Sequence, residues 1–273
     1  MLITDKFVYV HQSKTGGTFV TDVLLRIHGV KWEARKIGND TELAWTTPHG
    51  QLIILGPKHN SCSDIPDEHR GKSVLGTVRN PYDRYVSSYE FGWWKKAEYL
   101  EDYRRKSACL DERYPGFPDI SFADYLSFAN RKEIVAGNDI GAQTRSLIHH
   151  YFRNPKRVVA VTDEDYFSSG RYLAEMFDVR FLRTNTLNKD LHDFLLAVGY
   201  PADDVAFILK TEKVLPAVPP EGKERVDHRS WATYYSPDSA ELVRHWERHF
   251  LALFPEFDGL PEGERQRVGA TTP

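Results

Sequence analysis

The chain reads as an α/β protein with a mostly parallel sheet covered by helices on both faces. Two observations predict this. Four short, continuously apolar runs punctuate the sequence, and apolar residues between them recur at helical spacing. Unbroken apolarity over four to six residues marks a strand covered on both faces, and helices between such strands supply the cover.

The four runs are "FVYV" (Phe7–Val10), "LIIL" (Leu52–Leu55), "SVLGTV" (Ser73–Val78) and "VVAV" (Val158–Val161), with "VRFL" (Val179–Leu182) a weaker fifth. Helices are expected from Phe19 to Ile27, Pro81 to about Lys96, Phe122 to Asn130, Tyr166 to Phe177, Leu187 to Val198 and Asp238 to Phe254. In the last of these, Leu242, Val243, Trp246, Phe250 and Leu253 share an apolar face, while Glu241, Arg244, Glu247 and Arg248 point to solvent. The stretch 214–231 is rich in proline and charge and reads as a long loop, 98–138 as an insertion, and 260–273 as a flexible tail. One domain over 1–273 is expected, because the last helix needs the main body to cover its apolar side.

With 273 residues and 41% hydrophobic content the chain can bury a substantial core. Its 36 basic and 39 acidic residues leave a formal charge of −3, and no sustained basic run points to nucleic acid or an anionic membrane. Any anion site must be local. Cys62 and Cys109 lack metal-ligand spacing and read as reduced thiols. The first residues lack the features of a secretory signal, and no apolar run approaches the roughly 20 residues of a membrane helix. A cytoplasmic protein is expected.

Directly after the first strand comes "HQSKTGGTF", His11–Phe19. A strand, glycines and then a helix present free N–H groups and the positive end of the helix dipole to an anion. Gly16 and Gly17 allow close approach, Thr15 and Thr18 bring hydroxyls, and Lys14 brings a charge. The nucleoside-triphosphate loop has its lysine after the glycines, whereas here it precedes them.

The second constellation is "LGTVRNPYDRYVSSYEF", Leu75–Phe91. Arg79 follows the strand, Asn80 suits an N-cap, Pro81 suits the first helical position, and Asp83 stands near the positive helix end. Ser87 lies two helical turns beyond Asn80 on the same face, so Arg79 and Ser87 are spaced to grip one anion.

These two motifs resemble those of sulfotransferases that use 3′-phosphoadenosine 5′-phosphosulfate (PAPS), especially bacterial and carbohydrate-type members. "KTGGTF" looks like the 5′-phosphosulfate loop, and Arg79 with Ser87 eight positions on looks like the 3′-phosphate motif. "FLRTNTLNKDLHDFLLAVG" (Phe181–Gly199) resembles the family's late strand, loop and helix, and "YYSPDSAELVRHWERHFLALFPEF" its C-terminal helix. The resemblance implies a P-loop-type three-layer sandwich and in-line sulfuryl transfer from PAPS, as co-substrate, to an acceptor hydroxyl, with carbohydrate favoured by motif style. It implies that Lys14 stabilises the leaving phosphate, that the amides of Thr15, Gly16, Gly17, Thr18 and Phe19 cradle it, and that no metal is required. The implied base is His59 in "GPKHNSC", where the family places a histidine.

Lys58 beside it departs from the family's spacing. His11 and His49 are rivals for the base, and His149 and His150 read as structural. Arg225 and Arg229 are candidate 3′-phosphate partners, and Trp93, Trp94 and Tyr99 a candidate sugar-stacking surface. Two other readings compete. One is a phosphotransferase using ATP and magnesium, with Asp163 at the end of "VVAV" holding the metal. The other is a nucleotide-binding protein without turnover.

Overall fold

The computed structural model describes residues 1–31, 37–106, 110–131, 139–211 and 230–259. Among these, the strands are β1 (Leu2–Thr4), β2 (Phe7–Tyr9), β3 (Glu42–Thr47), β4 (Gly50–Leu55), β5 (Ser73–Val78) and β6 (Val179–Arg183). The helices are α1 (Gly17–Ile27), α2 (Pro81–Phe91), α3 (Ala97–Lys106), α4 (Leu110–Arg113), α5 (Phe122–Ala129), α6 (Ala142–Tyr151), α7 (Pro155–Val161), α8 (Leu187–Ala197), α9 (Ala202–Val205), α10 (Pro237–Trp246) and α11 (Arg248–Leu253). No helix among the described residues is long and apolar enough to cross a membrane. The chain divides into two compact units. One comprises Met1–Arg79, Ile148–Pro155 and Tyr172–Glu221, and the other Asn80–Leu147, Lys156–Arg171 and Gly222–Pro273.

The first unit holds the sheet, in the order β3-β4-β1-β2-β5-β6. The α/β class stands, but the sheet is mixed. β2–β5 and β5–β6 are parallel, whereas β1–β2, β1–β4 and β3–β4 are antiparallel. The expectation of a mostly parallel sheet fails at β4, whose "LIIL" lies between two antiparallel neighbours. Its residues alternate between buried and half-buried positions, so a continuous apolar run concealed a one-sided strand. The strands β1 and β3 escaped notice for opposite reasons. The first has only three residues, and the second, "ELAWTT", is largely exposed.

The core of this unit packs Phe7 and Tyr9 of β2, Leu75 of β5 and Leu182 of β6 with Phe19, Val20, Val23 and Leu24 of α1. Leu187, Leu191 and Phe194 of α8 complete that side, with Phe194 edge-on to Phe7 at 5.0 Å between ring centres. The parallel trio β2, β5 and β6 therefore ends in one row of loops, at Val10, Arg79 and Thr184.

In the second unit, α2 starts as its sequence requires. The Asn80 side chain accepts from the amide of Tyr82 at 2.9 Å, Pro81 takes the first helical position, and Asp83 lies in the first turn. The helix stops at Gly92, short of the expected Lys96. Around it is an aromatic core of Tyr82, Tyr85, Trp94, Tyr114, Tyr125 and Phe128.

Three further expectations are corrected. "VVAV" belongs to α7, not to a strand: Val158 and Thr162 are buried four residues apart while Val161 is 40% exposed, which is the helical period. The expected helix at Tyr166–Phe177 is replaced by turns with a short 3₁₀ segment at Arg171–Ala174, because Ser168, Ser169 and Gly170 break it. The final helix divides at Glu247. This residue was expected on the solvated face, yet it is fully buried, and its carboxylate accepts from Tyr85 Oη, the amides of Gln143 and Thr144 and the Thr144 hydroxyl. The stretches 212–229 and 260–273, with Arg225 and Arg229, lie outside the described residues, as do Cys109 and parts of 98–138.

Candidate functional site

The site grows from the end of β2. Its chain continues through Val10, whose amide donates to Leu75 O at 2.9 Å, and then turns under α1. Lys14 adopts φ 63°, the left-handed region that costs a side-chain-bearing residue about 1–2 kcal/mol. Gly16 follows at φ 93° as the residue capping α1. A Cβ on Gly16 would lie 2.6 Å from Leu187 Cδ2, and one on Gly17 2.2 Å from the His11 ring. Gly17 is therefore demanded by close approach to the His11 ring, and Gly16 by its left-handed conformation.

The capping residue of α1, Gly16, has no side chain to bond the first amides, and the first turn holds no acidic residue. The helix thus presents its positive end without an internal carboxylate to neutralise it.

Thr15 is oriented inward. Its hydroxyl donates to Gln12 O at 2.8 Å and lies 2.6 Å from Thr77 Oγ1, which in turn is 3.3 Å from Tyr9 Oη. Since Thr15 gives its proton to Gln12, the chain of donation runs from Tyr9 to Thr77 to Thr15. Burial raises the Tyr9 phenol above its ordinary range, so the hydroxyl stays protonated as this direction needs. The Thr15 hydroxyl is a buried strut under the loop, and it is not the anion donor that its position in the motif suggested.

Two further strands reach the same loop. Arg79, at the end of β5, donates from Nη1 to Lys14 O at 3.2 Å. Thr184, just past β6, brings its hydroxyl within 2.9 Å of both Thr15 O and Val78 O. Sequence reading missed Thr184; a threonine immediately after a parallel strand was the available signal. Ser87 lies on α2 in the second unit, largely buried.

His59 comes from the turn after β4. It is exposed, its Nδ1 lies 2.9 Å from His11 O, and the two imidazoles meet edge to face at 5.0 Å between centres. Lys58 beside it is half-buried. His11 itself is 3% exposed, and its Nδ1 has no hydrogen-bond partner among the described residues. Burial above all, then the charges of Lys58 and His59, holds its pKa well below the ordinary histidine value. It is therefore a poor rival as base.

The remaining candidates are dispersed. His49 pairs with Asp204 at 3.6 Å and lies against His28 and Tyr200. His149 is exposed and His150 buried on α6. Asp163 follows a helix, not a strand end, and is paired with Arg171. Cys62 is buried with its thiol pushed up to about 12, chiefly by desolvation, which makes it a poor nucleophile. Trp94 is fully buried, stacked on Tyr125 at 4.6 Å and bonded through Nε1 to Pro118 O, so it belongs to the core. Trp93 is half-buried and Tyr99 is 42% exposed, meeting edge to face at 5.6 Å.

Comparison with protein-family models, with curated proteins and with solved structures finds no match for this chain.

Proposed function

We propose that this chain is a sulfotransferase that moves a sulfuryl group from PAPS to an acceptor hydroxyl, with a carbohydrate the favoured acceptor. The observation that carries the reading is the convergence on one loop. Lys14 stands in a strained conformation ahead of two glycines at the start of α1, whose capping residue is a glycine, with Arg79 on its carbonyl and the imidazole of His59 tied to His11 at its entrance.

The residues present fit the donor. The amides of Thr15 to Phe19 and the Thr18 hydroxyl offer hydrogen bonds to a 5′-phosphate at the positive helix end. Arg79 and Ser87, eight positions apart in the sequence, have the spacing of a 3′-phosphate grip. The P-loop-type three-layer sandwich belongs to this proposal; the parallel trio β2, β5 and β6 with α1 following β2 supports it.

His59 takes the proton of the acceptor hydroxyl as the new O–S bond forms. The bond from sulfur to the 5′-phosphate oxygen breaks, and that oxygen keeps the electron pair. Lys14 and the loop amides meet the charge growing there, a field fixed before the reaction begins. The products are a sulfated acceptor and 3′-phosphoadenosine 5′-phosphate (PAP).

The test is thermal stabilisation. PAP without metal is expected to raise the melting temperature, and PAPS with an acceptor panel is expected to yield a sulfated product. Stabilisation only by ATP with magnesium would replace this reading with a phosphotransferase. PAP binding with no transfer to any acceptor would leave a nucleotide-binding protein.

A further inference from the structure

We propose that His11 is a positioning residue for His59, fixing which imidazole nitrogen carries the proton and how the ring is held; its value to catalysis rests on the transfer reaction proposed above. A carbonyl oxygen can only accept a hydrogen bond. The 2.9 Å contact between His59 Nδ1 and His11 O therefore requires the hydrogen on Nδ1. Neutral His59 then has its lone pair on Nε2, and Nε2 is the atom that takes the acceptor's proton. The bond made by one ring nitrogen decides the state of the other.

The accepting carbonyl is itself held in place. His11 follows Val10, whose amide is bonded to β5, and its ring is wedged against Gly17 so closely that a Cβ there would lie 2.2 Å from Nε2 and Cδ2. The edge-to-face contact at 5.0 Å, with ring planes 88° apart, restrains the His59 ring a second time. One residue thus touches the helix that presents its amides to the donor and the imidazole that faces the acceptor.

Two features fit positioning better than mere filling of space. Nδ1 of His11 is buried with no hydrogen-bond partner among the described residues, a cost that an apolar side chain of similar size would avoid. His11 is also kept neutral by burial first and then by Lys58, His59, the Met1 α-amine and His150. A neutral ring beside His59 does not oppose the positive charge that His59 acquires on taking the proton.

Long-range ¹H–¹⁵N spectra of histidine-labelled full chain test this directly. His59 is expected as the Nδ1–H tautomer in the unliganded protein. Finding it as Nε2–H overturns the proposal whatever the protein's activity. In His11→Ala, and in His11→Asn should the first fail to fold, the carbonyl at position 11 stays but loses the ring that wedges it against Gly17 and packs on His59, so His59 is expected to loosen from it and become a mixture of tautomers. Transfer should slow by about 10²-fold, the scale of a small misplacement of a reacting group, while PAP affinity holds. An unchanged rate with His59 still wholly Nδ1–H in a folded variant also overturns it. A locked His59 in a protein that binds no PAP upholds the positioning and removes only the sulfotransferase reading.

Discussion

Arg79 at the end of β5 donates from Nη1 to the carbonyl of Lys14 at 3.2 Å, joining the ends of two adjacent parallel strands. In the proposed reading, Arg79 would hold one phosphate of the nucleotide and the Lys14 loop the other. Replacing Arg79 by Ala should weaken PAP binding by on the order of 1.5–3 kcal/mol, the range for a hydrogen bond to a charged group. Arg79→Lys should not restore it, because an ammonium lacks the planar fork. Titration calorimetry measures both, and an unaltered affinity in Arg79→Ala removes this residue from the donor site.

His59→Ala should leave PAP affinity intact and slow transfer by roughly 10²–10⁴, the usual worth of a general base. Single-turnover kinetics with saturating PAPS separates the two effects. An equal rate would move the base elsewhere.

Gly17→Ala sets a methyl against the His11 ring. Overpacking of this kind costs about 1–3 kcal/mol, seen as a lowered denaturation midpoint, and PAP binding should fall as the loop shifts. Adding His11→Ala empties the space, so the double variant should recover part of the lost stability. Strict additivity would show that the two residues do not compete for one volume.

Glu247→Ala should be among the most damaging single changes in the second unit. It leaves the Tyr85 hydroxyl, two amides at the start of α6 and the Thr144 hydroxyl without their acceptor. A loss on the order of 3 kcal/mol or more is expected in chemical denaturation, since each buried polar group left unpaired costs about 1–3 kcal/mol.

The protein should lose stability in mild acid through its buried histidines. His28, bonded to Thr47 Oγ1 at 2.9 Å and Tyr200 Oη at 3.0 Å, is depressed by burial to about 4 from 6.5. Between these values the unfolded chain binds the proton and the folded chain does not. Stability from this source is complete above pH 6.5 and declines as pH falls toward 4. His11 acts in the same direction. Melting temperature against pH should have a shallower slope over that window in His28→Gln, and an identical slope would exclude His28.

The sequence by itself determined what nearest neighbours decide. The strand at Ser73–Val78, the Asn80–Pro81 start of α2 and the turn through Gly16 into α1 follow from propensity, capping and backbone freedom, which act within a few residues. Tertiary structure decided what depends on partners far along the chain. It made "VVAV" a helix by burying one side of it, set β4 antiparallel between two strands that no apolar run announced, and drew Glu247 inward to cap α6. It also brought His59 to the carbonyl of His11 and Thr184 to that of Thr15, pairs 48 and 169 residues apart. A single residue's chemistry is legible in its letter, but the partner that directs that chemistry is chosen by the packing of the whole unit.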